Sequence, residues 1–407
     1  MSLHKVLTLA QPSGNIGPLF EWGQNAVNQL GDGTTTNRSS PVQLGTSKWS
    51  AVASNGSTSA AIRSDGALYV WGVLPYGVKQ SSPVQLASGS WNSVALGTSH
   101  LLAIKSDKTL WAAGLASSGQ LGVGYNAPLF QSWSVIAGGL FHTLGIRSDG
   151  ALFAWGDNTY GNLGTNNTTN SSNPVQIGNS SWATVAAADS ASYAIRSDGG
   201  LFAWGLNTTG QLGLGNTVNI SSPVQIGSSS WTAISACYST AAAITSTKLL
   251  YAWGLNGYGI LGDNTIVNRS SPVLITSNSW LQIAVGGNSL AAIRTDGGLF
   301  NWGYASILGL NNSTIHRSAP VQIGTSSWIQ LAASAVSNLA IRLDNTLWAW
   351  GSNSAGEVGD NTSTRRSSPV QIGTSSWTQI RGGNNVQSSY AIRADGSLFA
   401  WGKDRKS

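Results

Sequence analysis

The chain has 407 residues, 41% of them hydrophobic, with 18 Trp, only 9% charged residues and a formal net charge of +6. A single cysteine, Cys237, excludes internal disulfides and thiol-based metal clusters, and no run approaches the ~18 apolar residues of a membrane-spanning helix. Charge this sparse, against a usual level of about 25%, argues against nucleic acid as a partner despite the basic balance.

Residues 1–18 carry one Lys and a broken apolar patch, a poor match to a secretory leader. A repeat then begins at Leu19 and runs to Gly402, leaving residues 403–407 as a tail. Its clearest mark is Trp-Gly, at Gly23, Gly72, Gly156, Gly205, Gly254, Gly303, Gly351 and Gly402, with Gly114 of LWAAG filling the wide gap. Successive spacings are 49, 42, 42, 49, 49, 49, 48 and 51 residues. A period of this size predicts an array of supersecondary units sharing one core, not separate domains.

Each unit predicts four short strands. PVQIG comes first, with Pro opening the strand where a missing N–H is harmless. SWTQI follows, and then YAIRSDG meets LFAWG across an Asp-Gly turn, a strong hairpin signal. LFAWG is apolar on both faces, as expected of a strand packed between neighbouring blades. No stretch shows helical periodicity. Eight sets are counted, so the prediction is an all-β fold, one β-propeller of four-stranded blades with eight units and a seven-bladed ring as the alternative. LFEWG, from Leu19 to Gly23, precedes the first set and is surplus. It closes the ring against the last blade, caps an edge or pairs with another subunit.

The motif LFAWGLNTTGQLGLGN, followed by SSPVQIG, W and AIRSDG, resembles the repeat of the regulator of chromosome condensation family. The resemblance extends from Leu19 to Gly402, with the WG-x-N-x-x-GQLG core at Gly205 to Gly213. It implies a β-propeller. It also implies three kinds of activity: guanine-nucleotide exchange on a small GTPase, enzyme inhibition, or a structural role in surface and bacteriophage proteins.

A functional site needs residues that the repeat does not absorb. All 18 Trp are absorbed: eight lie in Trp-Gly, eight open the second strand, and Trp111 and Trp348 stand where other units carry Phe or Tyr. Seven cations (Arg63, Lys105, Arg147, Arg196, Arg294, Arg342 and Arg393) each precede an Asp by two residues, on one strand face. These pairs are expected to be scaffold. His100 and His142 share a repeat position with Thr58, Thr240, Ser289 and Ser388, which predicts hydrogen bonding within a blade. Glu21 and Glu357 are the only glutamates. No nucleophile–base or metal-ligand constellation assembles, so the chain reads as non-enzymatic, with no cofactor and no metal.

What remains is basic. Arg38, Arg269, Arg317 and Arg366 each stand three residues before the Pro, in the first, sixth, seventh and eighth units. In a closed ring they form one arc, strengthened by His316 and Arg365. Asp32, Asp263 and Asp360 lie six residues before three of them and can neutralise part of the arc. The arc is the expected binding face for a protein or glycan. The composition suits display outside the cell, as a bacteriophage fibre, spike or decoration protein; a cytoplasmic location is the alternative. The surplus strand offers a second route to assembly.

Overall fold

The sequence signals for turns and strands recur with so little change that one unit explains most of the molecule. The computed structural model describes residues 17–23, 28, 30–36, 38–55, 58–74, 79–87, 89–96, 100–114, 128–311, 314–334, 336–354, 356–382, 387–394 and 398–403. In the unit best isolated from its neighbours, a Trp strand (Trp231–Cys237) pairs antiparallel with a hairpin strand (Thr240–Thr245). The hairpin strand pairs with a Trp-Gly strand (Leu250–Gly254), which pairs with a Pro-Val strand (Arg269–Thr276). Two further four-stranded sheets follow with the same order. At three other joins the Pro-Val strand, or its counterpart, runs on without a break into the next Trp strand, in Arg38–Asn55, Pro128–Gly138 and Ser171–Ala187. These long strands weld neighbouring units into sheets of eight and ten strands. The only helix among the described residues is a single 3-10 turn, Ala305–Ile307. The chain is an all-β propeller.

The Pro-Val strand belongs with the Trp-Gly strand before it, not with the Trp strand after it, so the structural unit is displaced by one strand from the reading order. Nor does the Pro open that strand. Pro272 is preceded by three strand residues, tolerated because this is the sheet edge and the register shifts nearby, between Ala252 and Gly254. The surplus strand Gly17–Gly23 is fully engaged. It runs parallel to Leu398–Lys403, with Leu19 opposite Leu398, and antiparallel to the start of Arg38–Asn55, with Gly23 opposite Arg38. Of the three roles open to it, pairing with the last unit is the one realised. With a neighbour on each side, it has no free edge on which to add a strand from another chain.

The core lies between successive sheets. Tyr193, Ile195 and Leu212 from one unit pack with Trp231, Ile234 and Trp253 from the next, all of them buried. A sandwiched strand cannot alternate polar and apolar residues, which is why Thr240–Thr245 is buried along its whole length. Trp231 meets Tyr251 and Trp253 edge-on, at centroid separations of 5.4 and 6.2 Å.

Two expectations about polar groups need correction. Arg63, Arg147, Arg196 and Arg294 do pair with Asp65, Asp149, Asp198 and Asp296, at 2.5–2.6 Å. Lys105 and Arg342 instead lie over the rings of Trp111 and Trp348, at 4.4 and 3.6 Å from the centroids. In those two units Thr109 and Thr346 donate to Asp107 and Asp344, and Trp replaces Phe or Tyr as the nearby ring. The partner expected for Arg393, Asp395, lies outside the described residues. The second correction concerns the histidines. His100 Nε2 is 3.2 Å from Thr143 Oγ1, and His142 Nε2 is 2.9 Å from Ser192 Oγ. Each bond therefore reaches into the following unit and ties successive units of the ten-stranded sheet together.

One glycine shows how closely units meet. Gly213 has φ +71°, and a Cβ there would lie 2.8 Å from Nε1 of Trp253 in the next unit. Replacing Gly213 with Ala should cost roughly 1–3 kcal/mol from the left-handed backbone alone, more with the clash. A urea melt within error of the parent protein would show that the loop relaxes freely.

Candidate functional site

After Gly156, Gly205, Gly254, Gly303 and Gly351 the chain leaves the sheet in a long loop and returns at the Pro-Val strand. An Asn near the start of the loop organises it. Asn207 is buried; its Nδ2 donates to the carbonyls of Asn216 and Val218 at 3.1 and 3.0 Å, and its Oδ1 accepts from the Leu212 N–H at 3.0 Å. Asn158, Asn256 and Asn353 repeat the arrangement, holding the carbonyls of Thr169, Val267 and Thr364. Two of the loops also anchor the next unit: Trp204 and Trp253 donate Nε1–H to the carbonyls of Asn162 and Gln211, at 3.0 and 2.8 Å. Backbone pinned in this way displays its outward side chains rigidly.

The predicted basic positions share one register. Arg38, Arg269, Arg317 and Arg366 each lie opposite a Trp-Gly glycine (Gly23, Gly254, Gly303 and Gly351), where other units have Ser171 and Ile220. Their environments differ. Arg269 Nε is 2.6 Å from Asp263, and Arg366 is bonded to Asp360; both carboxylates are nearly buried. Burial opposes ionisation of Asp263, but hydrogen bonds from Thr265, Arg269 and Asn256 outweigh it and hold the carboxyl below its ordinary range. These two arginines are therefore neutralised within their own loops. Arg317 has Leu310 near the place of that Asp and makes no ion pair among the described residues. Arg365 is exposed and also has no ion pair there. The side chain of Arg38 lies outside the described residues.

His316 has a structural duty. In three other loops an Asn side chain accepts the backbone N–H of the organising Asn, as Asn268 does for Asn256 at 2.9 Å. In this loop Ala305 replaces that Asn, and its N–H donates to His316 Nδ1 at 3.0 Å. The neutral ring then carries its proton on Nε2. Its face stacks on Tyr304, with centroids 5.0 Å apart, and Tyr258 of the preceding loop meets both rings at 4.9 and 5.1 Å. Beside this cluster stand exposed aliphatic tips. Val218, Val267 and Ile315 are 62%, 58% and 52% exposed, each two residues before the register position just described. The equivalent residues in other loops, Thr36, Thr169 and Thr364, are exposed and polar. The two tyrosines and the aliphatic row do not stand out in the sequence by charge. Comparing loops position by position, with Thr against Val or Ile, is the signal that finds them.

No group of three or more His, Cys, Asp or Glu that could hold a metal ion occurs among the described residues. No helix there is long and apolar enough to cross a membrane.

The pattern described as the regulator of chromosome condensation (RCC1) repeat matches residues 17–62, 149–195, 198–244 and 249–293, and a second RCC1 repeat pattern matches residues 134–162. The chain carries RCC1 repeats. Similar folds include human WBSCR16, with TM-score 0.66 and 18% identity over 90% of this chain and 97% of that one. Yeast RCC1 (Prp20) bound to Kap60 gives TM-score 0.66 at 15% identity, covering 93% of this chain and 89% of the other. Prp20p of Saccharomyces cerevisiae, in a structure titled for its binding properties to Gsp1p and histones, gives 0.64 at 15%, covering 98% and 94%. Comparison with curated proteins gives no match. At these identities the structures establish the RCC1 propeller fold and nothing finer.

Proposed function

We propose that this RCC1-repeat propeller is a non-enzymatic binding protein that docks a protein partner through its long-loop face. The observation that carries the reading is the contrast between the two ends of the sheets. At the Asp-Gly end most cations lie against Asp or an aromatic ring. At the long-loop end Arg317, Arg365 and a set of apolar side chains stand exposed or half-exposed on pinned backbone. One yeast relative in fold, Prp20, is described with protein partners in two structures, Kap60 in one and Gsp1p and histones in the other. Cross-linking to a co-purified native partner should place the cross-links on the long loops. Cross-links confined to the Asp-Gly turns would overturn the reading.

Two finer readings divide on measurement. The repeat family favours guanine-nucleotide exchange on a small GTPase. Stopped-flow release of a fluorescent guanine nucleotide, run across a panel of small GTPases, should accelerate at micromolar protein if that reading is right. The charge-poor, Ser- and Asn-rich composition favours display on a virion as a fibre, spike or decoration protein. Mass spectrometry of purified particles should then find the protein at stoichiometric copy number, with no acceleration of nucleotide release.

A further inference from the structure

We propose that Val218, Val267 and Ile315, with the ring cluster of Tyr258, Tyr304 and His316, form a docking surface for an acidic protein segment that carries aromatic or aliphatic anchors. The inference rests on the protein-docking reading and names the chemistry of the partner.

The row is not demanded by the scaffold. The same loop position carries Thr in three other units, and in four loops its carbonyl is held by the buried Asn whichever side chain it bears. Scattered exposed apolar residues are ordinary. Three at one register in consecutive sheets, with Ile266 at 66% exposure beside Val267, make a patch of the kind that marks an interaction site. The cluster breaks the repeat in the same place, because Tyr304 and His316 replace the Leu and Asn of the two preceding loops.

Charge sets the sign of the partner. The acids of the flanking loops, Asp263 and Asp360, are already bound to Arg269 and Arg366. Arg317 and Arg365 have no ion pair among the described residues, so the field over this arc is positive and complements a carboxylate-bearing segment. The ring geometry favours protein over sugar. Tyr304 turns one face onto His316 at an interplanar angle of 28°, while Tyr258 meets Tyr304 at 65°. Rings folded onto one another offer edges and crevices to side chains instead of a single flat platform to a pyranose.

The test uses the full chain and fluorescein-labelled poly(Glu,Tyr), with poly-Glu as the charge-only control, read by fluorescence anisotropy at low salt. The parent protein should bind the copolymer about tenfold more tightly than poly-Glu, the scale of one good anchor. The variant Val218→Thr/Val267→Thr/Ile315→Thr restores residues that other loops carry, so it should keep its Tm and lose that preference. Arg317→Ser/Arg365→Ser should weaken both polymers, by less as salt approaches physiological strength, where charges more than about 8 Å apart are screened. Equal affinity of the parent for both polymers, or an unchanged preference in the Thr variant, overturns the proposal. So does competition by a neutral oligosaccharide, which marks a sugar site, or self-association abolished in the Thr variant, which makes a second copy the occupant. The wider docking reading is judged separately, by the native-partner cross-links.

Discussion

Between pH 6.5 and pH 4 the protein will lose stability in step with two histidines. His100 and His142 are completely buried, and burial pulls each from 6.5 down to about 4. The positive charge of His142 adds to the effect at His100, and Asp157 opposes it at His142. In the unfolded chain each ring takes up its proton near 6.5. Across the window from about 6.5 to about 4 the unfolded state therefore binds more protons, and stability rises with pH. The contribution is fully present above that window and is lost as pH falls through it, at on the order of 3 kcal/mol per ring. The hairpin carboxyls Asp149, Asp198 and Asp296 are held at about 2 by their arginines and by backbone N–H groups. They begin to matter only below about pH 4, so the two effects separate. Denaturant midpoints between pH 7 and pH 4.5 should fall steeply for the parent and stay nearly flat for His100→Thr/His142→Thr, which installs the residue of Thr58 and Thr240. Equal slopes for the two proteins would mean that the rings are solvated or already charged.

Replacing Trp253 with Ala should cost roughly 3–5 kcal/mol, the range for removing a large aromatic from a packed core. The ring is fully buried between two units, and its Nε1–H satisfies the carbonyl of Gln211 in the preceding loop. The loss should therefore exceed that from cutting an outward aromatic such as Tyr160, which is 40% exposed and should be near neutral. Urea denaturation of both variants decides it. A cost for Trp253→Ala no larger than for Tyr160→Ala would remove this Trp from the load between units.

Strand identity was readable because each signal is local and chemically strict: Asp-Gly for the hairpin, Trp for the strand start, unbroken apolar runs for sandwiched strands. The phase of the unit was not, because reading from Pro-Val to Trp-Gly or from Trp to Pro-Val fits the same string, and only the pairing of Gly254 with Arg269 separates them. The seam was equally hidden, since Leu19 and Leu398 carry the same motif and nothing local makes them parallel neighbours. At the candidate site, charge led to Arg269 and Arg366, while the six-residue spacing to Asp263 and Asp360 anticipated their pairing. His316 was visible as an irregularity, but its bond to the Ala305 N–H depends on a loop altered at both ends. Tyr258 and Tyr304 meet across two units, a proximity that no spacing within one repeat encodes.

The hold of the loops after Gly156 and Gly205 on the Trp of the following unit bears on how such a chain can grow or shrink. A duplication or deletion whose ends fall at the same point of two loops brings in or removes one loop and one Trp together, so a donor such as Trp204 or Trp253 keeps a carbonyl like that of Asn162 or Gln211. A break placed between Trp strand and hairpin strand would instead join halves with different surfaces. Recombination between near-identical loop sequences is thus the event that packing tolerates best, and the near-verbatim wording of the fourth to sixth units supplies the matching ends it needs.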